Sequence, residues 1–385
     1  MHTQQIYTLL NQVNQQSEGK IDVAVVDTAS FVALGDAVLS SATNTEPFLN
    51  SLCQLIYRDV VEGRSYRSPL RSLMKGTAEW GAIVRKIAVE MPELVEEKAI
   101  PLTDGQSVDQ YQIKLPKVHQ WLFVSRTPYS AYVTIQRTWL KEAFKSEDQM
   151  ETFIASIFLK IQNRLELSIE NLTKMSIANY IGLAKVPQKF NLVSMYNDEK
   201  ELTDTPDAIQ TGIFAMHNPE FMRWAVGIIK EVMANLNSMS TLYNYEGEER
   251  FTPYSAQHLM MLSRFKTQLE TVALYGAFNE EYVNIVRKEI VPHWQGSGTT
   301  PMDFDMQSKV NVNVRTPDGE ASKQVVTDNV VAVLFDDNAA GAYRQIEEVA
   351  TTPLNARGLY TNTFFHEQQM WFNALDENFI VFTLN

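Results

Sequence analysis

Three patterns in this sequence predict an α+β protein. Residues 79–140 are rich in β-branched and aromatic side chains, broken by turn residues. One long amphipathic helix follows directly, predicted over about 147–181. A mixed α/β section then closes on apolar strands. At 385 residues, 45% hydrophobic and 21% charged, the chain can bury a real core, either as two average domains or as one large one with insertions.

From the N-terminus, Ile6, Leu9, Leu10 and Val13 recur at helical spacing and predict a helix over 1–16, ended by a polar break at 17–20. A mixed segment runs to about residue 75, its clearest helix spanning 48–63. Within 79–140 the extended runs are interrupted at Pro92, Pro101, Asp104-Gly105, Pro116 and Pro128. Tyr111, Ile113 and Leu115 alternate with Gln112 and Lys114, which predicts a strand with one buried face. Ser146 with Gln149 forms a capping-box pattern, and Glu147, Asp148 and Glu151 favour a helix N-terminus there. Met150, Phe153, Ile157, Ile161, Leu165, Ile169 and Leu172 then recur every three or four residues until Gly182, with Pro187 beyond. At about 1.5 Å per residue, this helix is a rod of roughly 50 Å.

Beyond Pro206, Asn218-Pro219 is an N-cap and first-turn pair that predicts a helix to about Leu236. Residues 265–275 and 339–348 also carry helical patterns, whereas 258–262, 287–292, 309–314 and 330–335 read as strands. The last 24 residues predict two strands on either side of a turn over Ala374–Asn378.

Composition excludes several classes of function. Lys and Arg total 33 against 46 Asp and Glu, a formal charge of −13, whereas a duplex-binding protein needs a basic face to displace counterions. Cys53 is the single cysteine, so neither an intrachain disulfide nor a Cys-based zinc site can form, which suits assembly in a reducing compartment. The first twenty residues lack the pattern of a signal peptide, and the longest apolar runs, such as 330–335, fall far short of a membrane span. The expectation is a soluble protein with no membrane partner.

No catalytic or cofactor motif emerges. His366-Glu367 lacks the second histidine of a metalloprotease helix and reads as a strand pair with His366 partly buried. The six histidines are dispersed, with no pair at metal-ligand spacing, and phosphate-binding glycine loops and nucleophile elbows are missing. Gly296-Ser297-Gly298 reads as a linker, and Asp336-Asp337 as a solvated turn or the N-cap of a helix over 339–348. Glu90, Glu93, Glu96 and Glu97 form an acidic cluster, either a solvated loop or a contact for a basic patch on another subunit. The expectation is a protein that is not an enzyme and has no catalytic, cofactor-binding or metal site.

The order of the parts resembles the Hong Kong 97-type capsid fold of tailed phages. Local stretches are similar to the capsid proteins of small short-tailed, podovirus-type phages: 67–93, NLVSMYNDE at 191–199, 273–285, VVAVLFDDNAAGAY at 330–343 and 362–382. The resemblance covers about 65–385. It implies an N-terminal arm and helical segment over 1–78 and an extended β-hairpin loop over 79–140. A peripheral domain would come from 141–200 and 350–385 and carry the long spine helix, with an axial domain over 201–349.

It further implies a structural head protein of the virion, assembled in the host cytoplasm. The protein would form pentamers and hexamers of an icosahedral shell around double-stranded DNA, without sequence-specific binding. Scaffolding protein and portal are further implied partners. Trp121, Phe123, Tyr132 and Trp139 then become inter-subunit contact candidates, alongside Glu93, Glu96 and Glu97, because aromatics are enriched at interface cores. Packing of the four aromatics within the hairpin and against the spine helix is an equal alternative. Lys98, Lys114 and Lys117 match no cross-linking motif, and no cross-link is expected. An encapsulin-type shell protein and a soluble α/β enzyme using Asp336 and His366 are the competing readings.

Overall fold

The structure is a computed structural model that describes the chain apart from residues 1–2, 17–22, 41–46, 50, 53–65, 76–83, 93, 95, 97–99, 101, 110, 112, 124–126, 155–158, 204, 275–287, 296–302 and 315–322. Most of the expected 48–63 helix, Cys53, the 296–298 linker and nearly all of the 273–285 stretch lie outside the described residues. The chain divides into two compact units. One comprises Met1–Glu79, Arg126–Thr173 and Ala342–Trp371, the other Trp80–Ser125, Lys174–Gly341 and Phe372–Asn385.

In chain order the strands are β1 (Met74–Lys75), β2 (Val84–Val89), β3 (Val118–Phe123), β4 (Thr127–Gln136), β5 (Lys189–Asn191), β6 (Gln257–Leu262), β7 (Lys288–Val291), β8 (Val310–Val314), β9 (Lys323–Thr327), β10 (Val330–Asp336), β11 (Ala340–Thr351), β12 (Tyr360–Asn373) and β13 (Phe379–Thr383). They form a four-stranded sheet β1-β11-β12-β4, a five-stranded sheet β5-β13-β10-β6-β7, and two ribbons, β2-β3 and β8-β9.

In the first unit, the predicted N-terminal helix is Thr3–Gln16. Its periodic residues Ile6, Leu9, Leu10 and Val13 are buried with Phe31, Leu34, Phe144 and Phe153 in one apolar cluster. Helix Thr28–Leu39 begins at a reciprocal cap in which the Asp27 carboxylate accepts from the Ser30 backbone N–H. The predicted long helix is described as Glu147–Ile154 and Lys160–Leu183, with the Ser146 hydroxyl accepting from Gln149 N–H at 3.3 Å. Its expected end near Gly182 holds.

The second unit is organised by β6, β10 and β13, in which every residue is buried. A strand covered on both faces needs no polar alternation, which is why these segments read as continuous apolar runs. Helix Pro219–Leu236 starts as predicted, the Asn218 side chain accepting from Glu220 and Phe221 N–H, a cap that contributes about 1 kcal/mol.

Four expectations need correction. Residues 340–351 form strand β11 and not a helix, because sheet pairing overrides the helix propensity of an Ala-rich run. Tyr111, Ile113 and Leu115 lie outside any strand and are 87%, 81% and 81% exposed, with no described strand to pair them. His366 is exposed on β12, while Glu367 is buried and ion-paired to Arg344. Asp336 is buried at the end of β10, where its carboxylate accepts from Asn338 N–H at 2.8 Å, and burial pushes its pKa up. The two C-terminal strands form as expected but enter different sheets.

Turning from β12 into β13 places the 372–378 segment against the long helix. Ser176 Oγ donates to Phe372 O at 2.6 Å, and Asn179 Nδ2 to Asn373 Oδ1 at 2.9 Å. Tyr180 stacks on Phe379 with ring centroids 4.1 Å apart and donates its hydroxyl to Glu377 O at 2.8 Å. That turn carries the acidic pair described below.

His258 on β6 is buried with both ring nitrogens facing carboxylates, Nδ1 at 2.8 Å from Glu289 Oε1 on β7 and Nε2 at 2.9 Å from Asp337 Oδ1. Two ionised acceptors require two N–H donors, hence an imidazolium. Burial alone would lower the His258 pKa, but Glu289 and Asp337 together outweigh it and the net shift is upward. The stability this adds is full below the unfolded value of 6.5 and is lost as pH rises through the folded one. Chemical unfolding from about pH 6 to about pH 9 should show declining stability in the wild type and a flatter profile in His258→Gln. Parallel profiles would remove His258 as the cause.

Candidate functional site

The β2-β3 ribbon pairs antiparallel, with Lys86 opposite Trp121 and Ala88 opposite His119. Between the two strands the chain makes a long excursion over 90–117. Alternation gives the ribbon two unlike faces. One carries Lys86, Glu90, His119, Trp121 and Phe123 and is partly covered; the other carries Arg85, Ile87, Val89, Val118, Gln120 and Leu122 and is exposed.

The covered face is clamped by charge. Asp376 is 0% exposed. Lys86 Nζ reaches its two carboxylate oxygens at 2.7 and 2.6 Å and Glu377 Oε1 at 2.6 Å. Arg250 Nη2 reaches Asp376 Oδ2 at 3.0 Å. Burial pushes the Glu377 pKa up, and the Lys86 charge opposes that shift. The Lys86 ammonium also lies 5.4 Å from the Trp121 ring centroid, and Trp121 donates its indole N–H to Glu246 Oε1 at 3.0 Å. Backbone bonds from Tyr245 and Glu246 N–H to Leu375 O join the two body segments that receive the ribbon. Phe123 meets Phe372 edge to face, with centroids 5.7 Å apart.

On the opposite face and among the described residues of the excursion, several large apolar side chains are uncovered. Leu94, Ile100, Tyr111, Ile113 and Leu115 are all more than four-fifths exposed. Such a run of large apolar side chains is the mark of a surface that meets a partner. Among the described residues, this region shows no pairing of nucleophile, base and oxyanion donors; it shows a clamped root and exposed apolar side chains beyond it.

The sequence candidates are distributed unevenly over this arrangement. Trp121 and Phe123 turn toward their own body. Tyr132 on β4 is exposed beside Phe364, at 5.9 Å between centroids, and Trp139 on helix Arg137–Ala143 is exposed. Glu96 is exposed, while Glu93 and Glu97 lie outside the described residues. Glu90 faces the ribbon itself, at 2.7 Å from His119 Nε2 and 3.1 Å from Lys117 Nζ. Sequence reasoning missed Lys86, Arg250, Asp376 and Glu377. The only available signal was the acidic pair in the turn after an apolar strand, which reads as solvated until its partners are placed.

Comparison with known proteins follows the same line. Residues 8–383 match the family model for Phi29-like phage major capsid proteins. The chain is 25% identical over 376 residues to the major capsid protein of Bacillus phage B103, covering 94% of this chain and 70% of that one. It is 24% identical over 379 residues to the major capsid protein of Bacillus phage PZA, covering 98% and 72%. Among solved structures it is similar to a chain in the capsid structure of Staphylococcus phage Andhra, with a TM-score of 0.55, 10% identity, and coverage of 85% of this chain and 87% of that one. A chain from the structure of the head fiber and inner core protein of native bacteriophage P68 gives a TM-score of 0.53 at 8% identity, with the same coverages. These likenesses are of fold alone, and the fold agrees with the expected α+β, Hong Kong 97-type capsid architecture.

Removing Lys86 leaves Asp376 buried with Arg250 alone. Lys86→Met is expected to destabilise the second unit by about 3 kcal/mol, the scale for breaking a partly buried charge pair. Faster amide exchange in β2 and β3 should accompany the loss. An unchanged denaturation midpoint and unchanged exchange would show that the ribbon is held by its apolar contacts instead.

Proposed function

We propose a role for the exposed ribbon from one premise: the chain belongs to the Phi29-like phage major capsid protein family. It is a structural protein of the phage capsid and not an enzyme. The family match favours this over the nanocompartment-shell and α/β-enzyme readings. Our reading is that the 84–123 ribbon and its excursion lie over an adjacent copy of the same chain. The observation that carries it is the exposure of Leu94, Ile100, Tyr111, Ile113 and Leu115. A two-stranded ribbon is marginal in water by itself, so one with an apolar outer face gains by being covered. Each side chain of this size contributes about 1.5–3 kcal/mol on full burial, so a few of them drive association.

In this proposal the contacts are heterologous and close into rings, pentamers and hexamers, that build an icosahedral shell. Tyr132 and Trp139 serve as contacts from the other unit, and Glu96 meets a basic patch on a neighbour. Trp121 and Phe123 act by positioning the ribbon. The expected arm, extended loop, peripheral and axial divisions remain part of the proposal. So do the scaffolding and portal partners and assembly in the host cytoplasm. The net charge of −13 supports a shell that encloses double-stranded DNA without adhering to it.

Ile113→Ser with Leu115→Ser tests the reading without touching the clamped root. Sedimentation and electron microscopy should find wild-type protein in shells or rings and the variant in small species, with unchanged circular dichroism. Shell yield equal to wild type would overturn it.

A further inference from the structure

The covered face of the ribbon holds a second polar cluster, next to the Lys86 clamp and separate from it. Glu90 follows β2, His119 lies on β3, and Glu248 projects from the body loop that also carries Glu246 and Arg250. One donor atom from each of Glu90, His119 and Glu248 lies within 4.8 Å of the other two. His119 Nε2 is 2.7 Å from Glu90 Oε1 and 3.7 Å from Glu248 Oε1. Two ligands of one tetrahedral zinc ion, each at about 2.0–2.2 Å, stand roughly 3.3 Å apart. The two separations from His119 bracket that value, and the third is no more than 4.8 Å, so the three donors already stand near metal-ligand spacing.

The backbones behind these donors are fixed independently of the cluster. Glu90 N–H donates to Lys117 O at 3.0 Å, and the β2-β3 register holds His119 beside it. His119 stacks on Trp121, with centroids 5.9 Å apart. On the body side, buried Asn244 accepts from Gly247 N–H at 2.6 Å and Glu248 N–H at 2.8 Å, and donates to Glu248 O at 2.6 Å. Gly247 takes φ 77°, which a residue with a side chain rarely adopts, so this tight loop is built around its glycine. The charged groups facing His119 are Glu90, Glu248 and Glu246. Lys117 is the cation paired to Glu90, and its side chain is largely exposed and free to swing away.

We propose that Glu90, His119 and Glu248 form a divalent transition-metal site of the zinc type, which fastens the root of the ribbon to the body loop. One imidazole and two carboxylates suit zinc better than calcium or magnesium, which take six or more oxygen ligands or keep their water. A solvent water completes the tetrahedron. The metal binds Nε2 of a neutral imidazole whose proton sits on Nδ1; from the doubly protonated ring, the Nε2 proton leaves to solvent on binding. Because two ligands come from the ribbon and one from the body, occupancy sets how firmly the ribbon is held. This goes beyond the shell reading and does not depend on it.

The test is titration of the metal-free full chain with zinc chloride by calorimetry, with cobalt(II) absorption as a second probe. Wild type is expected to bind one equivalent, with a rise in melting temperature and slower amide exchange in β2 and β3. His119→Asn and Glu248→Gln should each weaken binding by more than about tenfold, since even the loss of an outer partner costs that much. His366→Ala, at an unrelated exposed histidine, should bind as wild type does. If a variant fails to fold, metal-dependent exchange protection in the wild type decides by itself. No saturable binding, or binding that His119→Asn leaves intact, would overturn the proposal.

Discussion

A carboxylate with no solvent exposure must be compensated where it lies, and Asp376 sets that condition for the second unit. Its compensation comes from far along the chain: Lys86 from the ribbon and Arg250 from a body loop. The turn that carries it is pinned from the other side by Ser176, Asn179 and Tyr180 on the long helix. Helix, C-terminal turn, body loop and ribbon therefore meet around one buried negative charge. Removing a cation from such a group costs more than the pair is worth in water, so the arrangement strongly favours the complete cluster.

The ribbon places Lys86, Glu90, His119 and Trp121 toward its own body, while Ile87, Val89, Val118 and Leu122 face outward beside Arg85 and Gln120. For a protein that works alone this would be an aggregation hazard. For a capsid subunit it separates two tasks. Charge pairs require specific geometry and give the root a defined seat, whereas apolar area is non-directional and associates wherever a complementary surface arrives. The chain uses the directional interaction within itself, and in the proposed role of the ribbon the non-directional one is left for a neighbour.

What could be read in the sequence followed from how local each determinant is. Asn218-Pro219 and Ser146-Gln149 cap helices through neighbours three residues away or fewer, and both formed as expected. The strands β6, β10 and β13 were legible because strands buried on both faces become unbroken apolar runs. The Ala-rich start of β11 was misread because its conformation is set by pairing within a sheet, which no local propensity records. Tyr111–Leu115 showed a true alternation with no described strand beside it. Lys86 and Asp376 stand 290 residues apart, and neither carries a local sign of the other. The family was legible through the order of parts, which survives where individual motifs do not.

The charge clamp also specifies register, which a two-stranded ribbon otherwise holds weakly. Lys86 pairs across to Trp121, and both point to the body. Slipping the ribbon by one residue against the body would exchange its faces, because side chains alternate strictly along a strand. Ile87 or Arg85 would then meet Asp376, and Lys86 would point to solvent. Ile87 leaves the carboxylate short of a cation in a buried site, and Arg85 would have to replace contacts that Lys86 makes to both Asp376 and Glu377. An apolar face by itself would tolerate such a slip, since Ile87, Val89, Val118 and Leu122 offer little to distinguish one register from the next. The buried ion cluster therefore determines which face is presented outward, and with it which residues are available to a neighbouring subunit.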